Sequence, residues 1–293
     1  ATRYAQARSQ AENLPLVAVQ HHHAHIASCL AENGWDSREP VIGLAYDGTG
    51  YGTDGSIWGG EILIASYRGF TRRFHLASLP LPGGDLAVRK PARMALSYLL
   101  AAGVDLEDQT LAPVAYLSPA EAQAVRHQAR TGFNAPLTSS MGRLFDAVAA
   151  LIGLCEEISY EAQAAMMLES ASDPLESGFY EMPLENDIID PLPMIRAIVA
   201  DLKASVSMGS IAARFHNSLV RMSLEVCRQI RQETGLRTVV ISGGVWQNMR
   251  LMNLTLPALE AEGFTALIHT QLPPNDGCVS LGQAVVALAH LQG

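Results

Sequence analysis

The final third of the chain alternates strand-like and helix-like stretches, and this alternation constrains the fold more than any other feature. Thr238 to Ser242 and Thr265 to His269 read as strands, and Gln247 to Glu262 and Ser280 to His290 read as the helices that follow them. Such alternation predicts a sheet with crossover helices. Upstream, Val41 to Tyr46, Glu61 to Ser66 and Phe70 to Leu76 are strand-like runs separated by glycine-rich turns, a β-meander that makes the sheet mixed. Between these regions the pattern is helical: Leu86 to Ala102, Pro119 to Thr131, Met141 to Leu154, Tyr160 to Ala171 and the long amphipathic Ile211 to Glu233. The acidic, proline-bearing stretch Ser172 to Pro193 reads as a connecting segment with one short strand. The fold class is α/β. Since 293 residues exceed a typical single domain, two lobes around a cleft are expected.

Composition removes several function classes. Hydrophobic residues make up 48% and charged residues 17%, which supplies an ample core, and no apolar run approaches the roughly 18 residues of a membrane span. A basic, apolar-cored signal peptide is missing from the start, and Ala1-Thr2-Arg3-Tyr4 has no initiator Met, as expected of a piece excised from a longer polypeptide. The net charge of −9 argues against bulk nucleic-acid binding, which only a local basic patch or a basic partner subunit would override. Cys29, Cys155, Cys227 and Cys278 form no CxxC pair, so they read as reduced thiols of a cytoplasmic protein.

The chemistry concentrates at glycines, histidines and carboxylates near element ends. Leu16 to Val19 is expected as a short buried strand running into His21-His22-His23-Ala24-His25, with a helix from His21 to Asn33 that Gly34 stops. His21 and His25 are four apart, so a helix places both imidazoles on one face, a frequent metal half-site. His22 with His25 is an alternative pair, and histidines at a polar helix start also occur as caps or solvent-facing residues. Two nitrogens leave a site open, and strand ends and loops are where further ligands converge. Asp47 ends one strand and opens Gly48-Thr49-Gly50-Tyr51-Gly52-Thr53-Asp54-Gly55, in which glycines allow close approach to a phosphate; an ordinary hairpin loop has the same composition. Asp276, before the last helix, is a second candidate oxygen or a helix N-cap. Ser242-Gly243-Gly244-Val245-Trp246-Gln247-Asn248 joins strand to helix and offers amide N–H groups to an anion or ribose, without the spacing of a Walker loop or of GxGxxG. Asp146, in Gly142 to Asp146, and Glu161 lie at or near helix starts, where carboxylates bind ribose hydroxyls or cap the helix.

Taken together, Val19 to His25, Tyr46 to Gly52, Leu81-Pro82-Gly83-Gly84-Asp85, Gly142 to Asp146, Tyr160-Glu161, Ser242 to Asn248 and Pro274 to Gly277 resemble, in the same order, the HypF family of hydrogenase-maturation carbamoyltransferases. The resemblance covers essentially the whole chain but only the C-terminal part of that family's protein. The acylphosphatase-like, zinc-finger and carbamoyl-adenylate-forming domains that usually precede it are outside this chain. The part is similar to the subunit that transfers threonylcarbamoyl to tRNA and to antibiotic O-carbamoyltransferases. It implies the two-lobed actin/Hsp70/sugar-kinase (ribonuclease H-like) fold with a central cleft, with residues 1–139 as an N-terminal lobe carrying a helical insertion. Residues 140–293 would then be a C-terminal lobe whose last helix packs back on the first.

The resemblance also implies roles. His21, His25, Asp47 and Asp276 match a divalent metal site (zinc or iron). Gly48, Gly50, Asp146, Glu161, Gly243, Gly244 and Asn248 match positions around a nucleotide: carbamoyl adenylate, ATP or AMP. Ala162 departs from the pattern, where glycine is expected; a methyl there would crowd a nucleoside. The implied reaction is carbamoyl transfer from carbamoyl adenylate to the C-terminal cysteine thiolate of the partner HypE, toward the cyanide ligands of [NiFe]-hydrogenase, with no protein nucleophile. The adenylate would come from another domain of the full-length protein, and neither nucleic acid nor membrane is an expected partner. The competing readings are an O-carbamoyltransferase for small-molecule hydroxyls, a tRNA-modifying subunit and a non-enzymatic nucleotide-dependent sensor.

Overall fold

The computed structural model of the chain describes residues 2–36 and 38–291. Helices α1 (Thr2–Glu12) and α2 (His21–Glu32) precede strands β1 (Val41–Tyr51), β2 (Ile57–Ser66), β3 (Gly69–Leu76) and β4 (Leu79–Pro80). Helices α3 (Asp85–Arg89), α4 (Pro91–Ala101), α5 (Ala112–Tyr116) and α6 (Pro119–Thr131), then β5 (Leu137–Thr138), α7 (Met141–Leu151) and α8 (Gln163–Ala171), form the middle. They are followed by β6 (Leu184–Glu185), β7 (Ile188–Ile189), α9 (Leu192–Lys203), α10 (Met208–Thr234), β8 (Thr238–Ser242), α11 (Met249–Ala261), β9 (Thr265–Leu267) and α12 (Val279–Leu291).

All described strands join one mixed sheet in the order β6-β7-β3-β2-β1-β8-β9, with β5 added to β2 and β4 to β5. The meander β1-β2-β3 is antiparallel, while β8 and β9 run parallel to β1. The boundary expected between residues 139 and 140 falls at Ser140, the N-cap of α7. Strands from both sides of it, β1 and β8, are hydrogen-bonded neighbours, so it does not divide one sheet from another.

Period-2 alternation along β1 builds the two faces of the core. Ile42, Leu44 and Tyr46 face the large helical layer with Phe74, Phe145, Phe215 and Trp246, while Val41 and Ala45 face Ile26, Cys29 and Leu30 of α2. Glycines set how close α2 sits. A Cβ on Gly43 would come within 2.7 Å of the Ile26 side chain, and one on Gly282 of α12 would lie 1.8 Å from the Ala24 carbonyl oxygen. Helix α2 is thereby held between the sheet and α12, with His22 through Leu30 all buried. Full burial of Ile26 alone contributes roughly 1.5–3 kcal/mol.

Several expectations are corrected. Leu16 to Val19 is not a strand: it has no ladder partner, and Leu16 is half exposed. The helix expected over Leu86 to Ala102 is two helices broken at Lys90, because Pro91 has no N–H to continue the first and begins the second. The stretch Ser172 to Pro193 contains the β6-β7 hairpin and runs into α9, where Pro191 is the N-cap and Pro193 lies in the first turn, a position that tolerates it. Of the stretch read as a loop after Asp47, residues 48–51 continue β1, with the register against β2 shifting between Tyr46 and Gly50, while residues 52–56 make the turn into β2. No described helix is long and apolar enough to cross a membrane.

Gly282→Ala is expected to lower unfolding stability by about 3 kcal/mol or more, since its methyl meets backbone and not a side chain that can turn away. Urea unfolding monitored by circular dichroism measures this, and an unchanged midpoint would refute the contact.

Candidate metal centre

Four side chains from three distant segments converge on one point. His21 and His25 stand on the first turns of α2, which Gln20 caps by accepting a hydrogen bond from the His23 amide at 2.9 Å. Their Nε2 atoms are 3.2 Å apart. Asp47 Oδ2 lies 3.0 Å from His21 Nε2 and 3.7 Å from His25 Nε2, and Asp276 Oδ1 lies 3.4 and 3.5 Å from the same two atoms. One donor atom from each of the four falls within 4.8 Å of all the others. A tetrahedral cation bound at about 2.0–2.1 Å holds its donors about 3.3 Å apart, so this set fits a divalent ion such as zinc or iron. His25 is fully buried and the Asp276 side chain is 73% exposed, which leaves the site open on the Asp276 side.

Backbone constraints aim the carboxylates. Asp47 Oδ1 accepts the Gly244 amide at 3.1 Å, which turns Oδ2 toward the histidines. Gly243 has φ +111°, and a Cβ there would lie 2.2 Å from the Tyr46 carbonyl oxygen, so the turn after β8 requires glycine. The Gly243 amide donates to the Pro274 carbonyl at 2.9 Å and ties this turn to the Asp276 loop. Asn275, not Asp276, caps the short 3-10 turn Asp276–Cys278, which leaves the Asp276 carboxylate free for the cluster.

The charges are strongly coupled. Burial alone would lower the His25 pKa, but Asp276, Asp47 and the Cys278 thiol override it and push it up to about 11. Burial would raise Asp47, and its hydrogen bonds with His21 and His25 instead hold it well below the usual carboxylate range. His22 stands apart: burial draws it down to about 3, its Nδ1 is 3.2 Å from Gln20 Nε2, and its buried Nε2 has no hydrogen-bond partner among the described residues. His23 Nε2 bonds the Ser66 carbonyl at 2.6 Å.

The residues expected around a nucleotide divide into two groups. Gly50 lies beneath the histidine rings, where a Cβ would sit 2.4 Å from His22 and 2.6 Å from His21, so a side chain there would displace the imidazoles. Gly48 meets the start of α7: Ser140 Oγ donates to its carbonyl at 2.7 Å, and a Cβ on Gly142 would be 2.8 Å from its Cα. The Gly244 amide is engaged by Asp47 rather than free for an anion. No described hydrogen bond or ion pair joins Asp146, Glu161 or Asn248 to the four-residue cluster. Asp146 is buried 2.9 Å from Arg143 Nε, and burial raises its pKa against the opposing pull of that guanidinium. Neither atom of that pair makes an aligned hydrogen bond. Asn248 caps α11 through the Leu251 amide and contacts His216 Nε2 at 3.0 Å, while Glu161 is exposed. Ala162 takes φ +61°, so its departure from glycine bears on backbone strain at the start of α8.

Sequence reasoning missed what lies behind His25. Ser242 Oγ and Cys278 Sγ each lie 3.3 Å from His25 Nδ1. Burial would raise the Cys278 thiol, but His25 and His269 draw it down to about 6. The only sequence signals were position: Ser242 ends β8, and Cys278 follows Asp276 by two residues.

Two family models match: one described as "HypF Kae1-like domain" over residues 1–32, the other as "Carbamoyltransferase, Kae1-like Domain, second subdomain" over residues 43–283. The chain belongs to the HypF carbamoyltransferase family, as its Kae1-like domain. The carbamoyltransferase HypF of Rhodobacter capsulatus is 41% identical over 298 residues, covering 100% of this chain and 38% of that protein. A solved full-length HypF in its phosphate- and nucleotide-bound form superposes with a TM-score of 0.91 at 42% identity, over 100% of this chain and 45% of that one. HypF of T. kodakarensis gives a TM-score of 0.88 at 31% identity, over 100% of this chain and 39% of that one. The chain therefore spans less than half the length of these relatives.

Metal loading is expected to displace the His25 proton, so apparent zinc affinity should fall as pH is lowered, by up to about tenfold per pH unit for each proton released. Chelator competition across pH 6–8 measures the slope, and a flat profile would contradict the coupling. Ala162→Gly should raise unfolding stability by about 1 kcal/mol by relieving the left-handed alanine; thermal unfolding reads it as a higher midpoint.

Proposed function

We propose that this domain transfers the carbamoyl group of carbamoyl adenylate to the C-terminal cysteine thiolate of HypE, toward the cyanide ligands of [NiFe]-hydrogenase. The observation that carries this reading is the convergence of His21, His25, Asp47 and Asp276, with Asp47 fixed by the Gly244 amide. Membership of the carbamoyltransferase family supplies the reaction class, and the nucleotide- and phosphate-bound state of the solved HypF supports a nucleotide-linked donor.

His21, His25, Asp47 and Asp276 would hold zinc or iron, which supplies Lewis acidity and a template for donor oxygens. The chain's own residues position the reactants. The exposed edge at Asp276 admits substrate, and Gly48 and Gly244 place no side chain beside it. The acceptor thiolate attacks the carbamoyl carbon, a C–S bond forms, the C–O bond to the nucleotide breaks, and AMP leaves with that electron pair. All four cysteines of the chain are buried, which agrees with an acceptor thiol from a partner and with no protein nucleophile. Asp146, Glu161 and Asn248 belong to this reading as nucleoside-side residues, with the buried Asp146–Arg143 pair opening on binding. The adenylate comes from a domain elsewhere in the full-length protein, and the reduced thiols suit the cytoplasm.

The test incubates the metal-loaded chain with synthetic carbamoyl adenylate and a peptide ending in cysteine. Mass spectrometry is expected to show one added carbamoyl group on the peptide with release of AMP, and Asp47→Ala should lose at least about 100-fold in rate. An unmodified peptide despite nucleotide binding would favour a sensor, and carbamoylation of a small-molecule hydroxyl in its place would favour an O-carbamoyltransferase.

A further inference from the structure

Behind the ligand cluster, on the side away from solvent, a chain of polar groups runs from His25 to a buried carboxylate. His25 Nδ1 is 3.3 Å from Ser242 Oγ, Ser242 Oγ is 2.9 Å from His269 Nε2, and His269 Nδ1 is 2.7 Å from Glu32 Oε2. The other oxygen of Glu32 accepts from the Thr270 and Gln271 amides and, at 3.0 Å, from the Thr270 hydroxyl. Burial would raise Glu32, but these hydrogen bonds outweigh it and hold its pKa at about 2. The carboxylate is therefore anionic and fixed in place at neutral pH.

We propose that Ser242, His269 and Glu32 are positioning residues for His25, a relay that fixes which ring nitrogen faces the metal site. This rests on the metal reading above. With Glu32 ionised, the donors align in one direction: His25 Nδ1–H to Ser242 Oγ, Ser242 O–H to His269 Nε2, and His269 Nδ1–H to Glu32. Once a cation displaces the Nε2 proton, that alignment leaves the lone pair of His25 Nε2 facing the point it shares with Asp47, Asp276 and His21. A carboxylate behind a ligating histidine fixes its tautomer and increases its basicity, and loss of such a partner commonly costs 10–100-fold in metal affinity. Here a hydroxyl and a second imidazole carry the same influence across the interface of α2, β8 and the loop after β9. Cys278 Sγ also lies 3.3 Å from His25 Nδ1 and interacts with His269 as well, so the thiol is a second link between the two imidazoles, and its replacement separates that route from the one through Ser242.

The experiment measures zinc affinity by chelator competition, and the visible spectrum of the cobalt(II)-substituted protein, for wild type, Ser242→Ala, His269→Ala, Glu32→Gln and Cys278→Ala. Ser242→Ala is the mildest relay variant, because it removes one hydroxyl and leaves the β8 backbone ladder intact. The relay predicts a 10–100-fold loss of affinity and a shifted cobalt spectrum in its three variants, with Cys278→Ala within about threefold of wild type. A strut that merely ties residues 269–271 to α2 would lower the unfolding midpoint and leave both readouts unchanged, which would overturn the proposal. A loss in Cys278→Ala with none in His269→Ala would assign the thiol instead and overturn it equally. Failure of wild type to bind stoichiometric zinc or iron would sink the metal reading itself, a result distinct from tight binding that the variants leave untouched.

Discussion

The placement of α2 is the constraint from which the rest follows. A helix carrying histidines at its start has to be buried along nearly its whole length, against a sheet on one side and a helix on the other. Two missing side chains make this possible, at Gly43 under Ile26 and at Gly282 against the Ala24 carbonyl. Once α2 is seated, the distance between its first turn and the end of β1 is set, and the imidazoles meet Asp47 without any flexible loop. The precision of the cluster is thus a packing property before it is an electrostatic one.

The electrostatics exploit that rigidity. Two carboxylates and two imidazoles lie within a few ångströms, and the raised His25 and depressed Asp47 show opposite charges drawn together there. A cation and protons compete for the same lone pairs. Backbone amides hold the outer faces of the carboxylates: Gly244 on Asp47, and Thr270 with Gln271 on Glu32, where the Thr270 hydroxyl adds a third donor. The amide donors have no rotamer freedom to lose, so each acid keeps its orientation whether or not a ligand is bound.

The strongly periodic parts of the fold were legible in the sequence. Thr238–Ser242 and Pro119–Thr131 begin and end where the pattern puts them, and the crossover order of the last third is the observed one. Elements of two residues, such as β4 to β7, carry no periodicity to read, and α1 is polar with no buried residue. Prolines misled in both directions, breaking α3 from α4 yet opening α9. For the site, the i, i+4 spacing of His21 and His25 was readable as a shared face, and their nitrogens do meet. Joining Asp47 and Asp276 to them drew on the family resemblance. The Ser242–His25 contact spans 217 residues, and the His269–Glu32 contact spans 237, so no local pattern could announce either.

The register irregularity between Tyr46 and Gly50 has a consequence for how this segment can vary. Side chains on a strand change face with every residue, so a one-residue insertion or deletion there would send the Asp47 carboxylate away from the histidines or slide Gly50 out from under their rings. The segment from Tyr46 to Gly50 is therefore a spacer of fixed count. Its chemistry can drift at Thr49, which is exposed, but its length is locked to the pitch of the helix it faces.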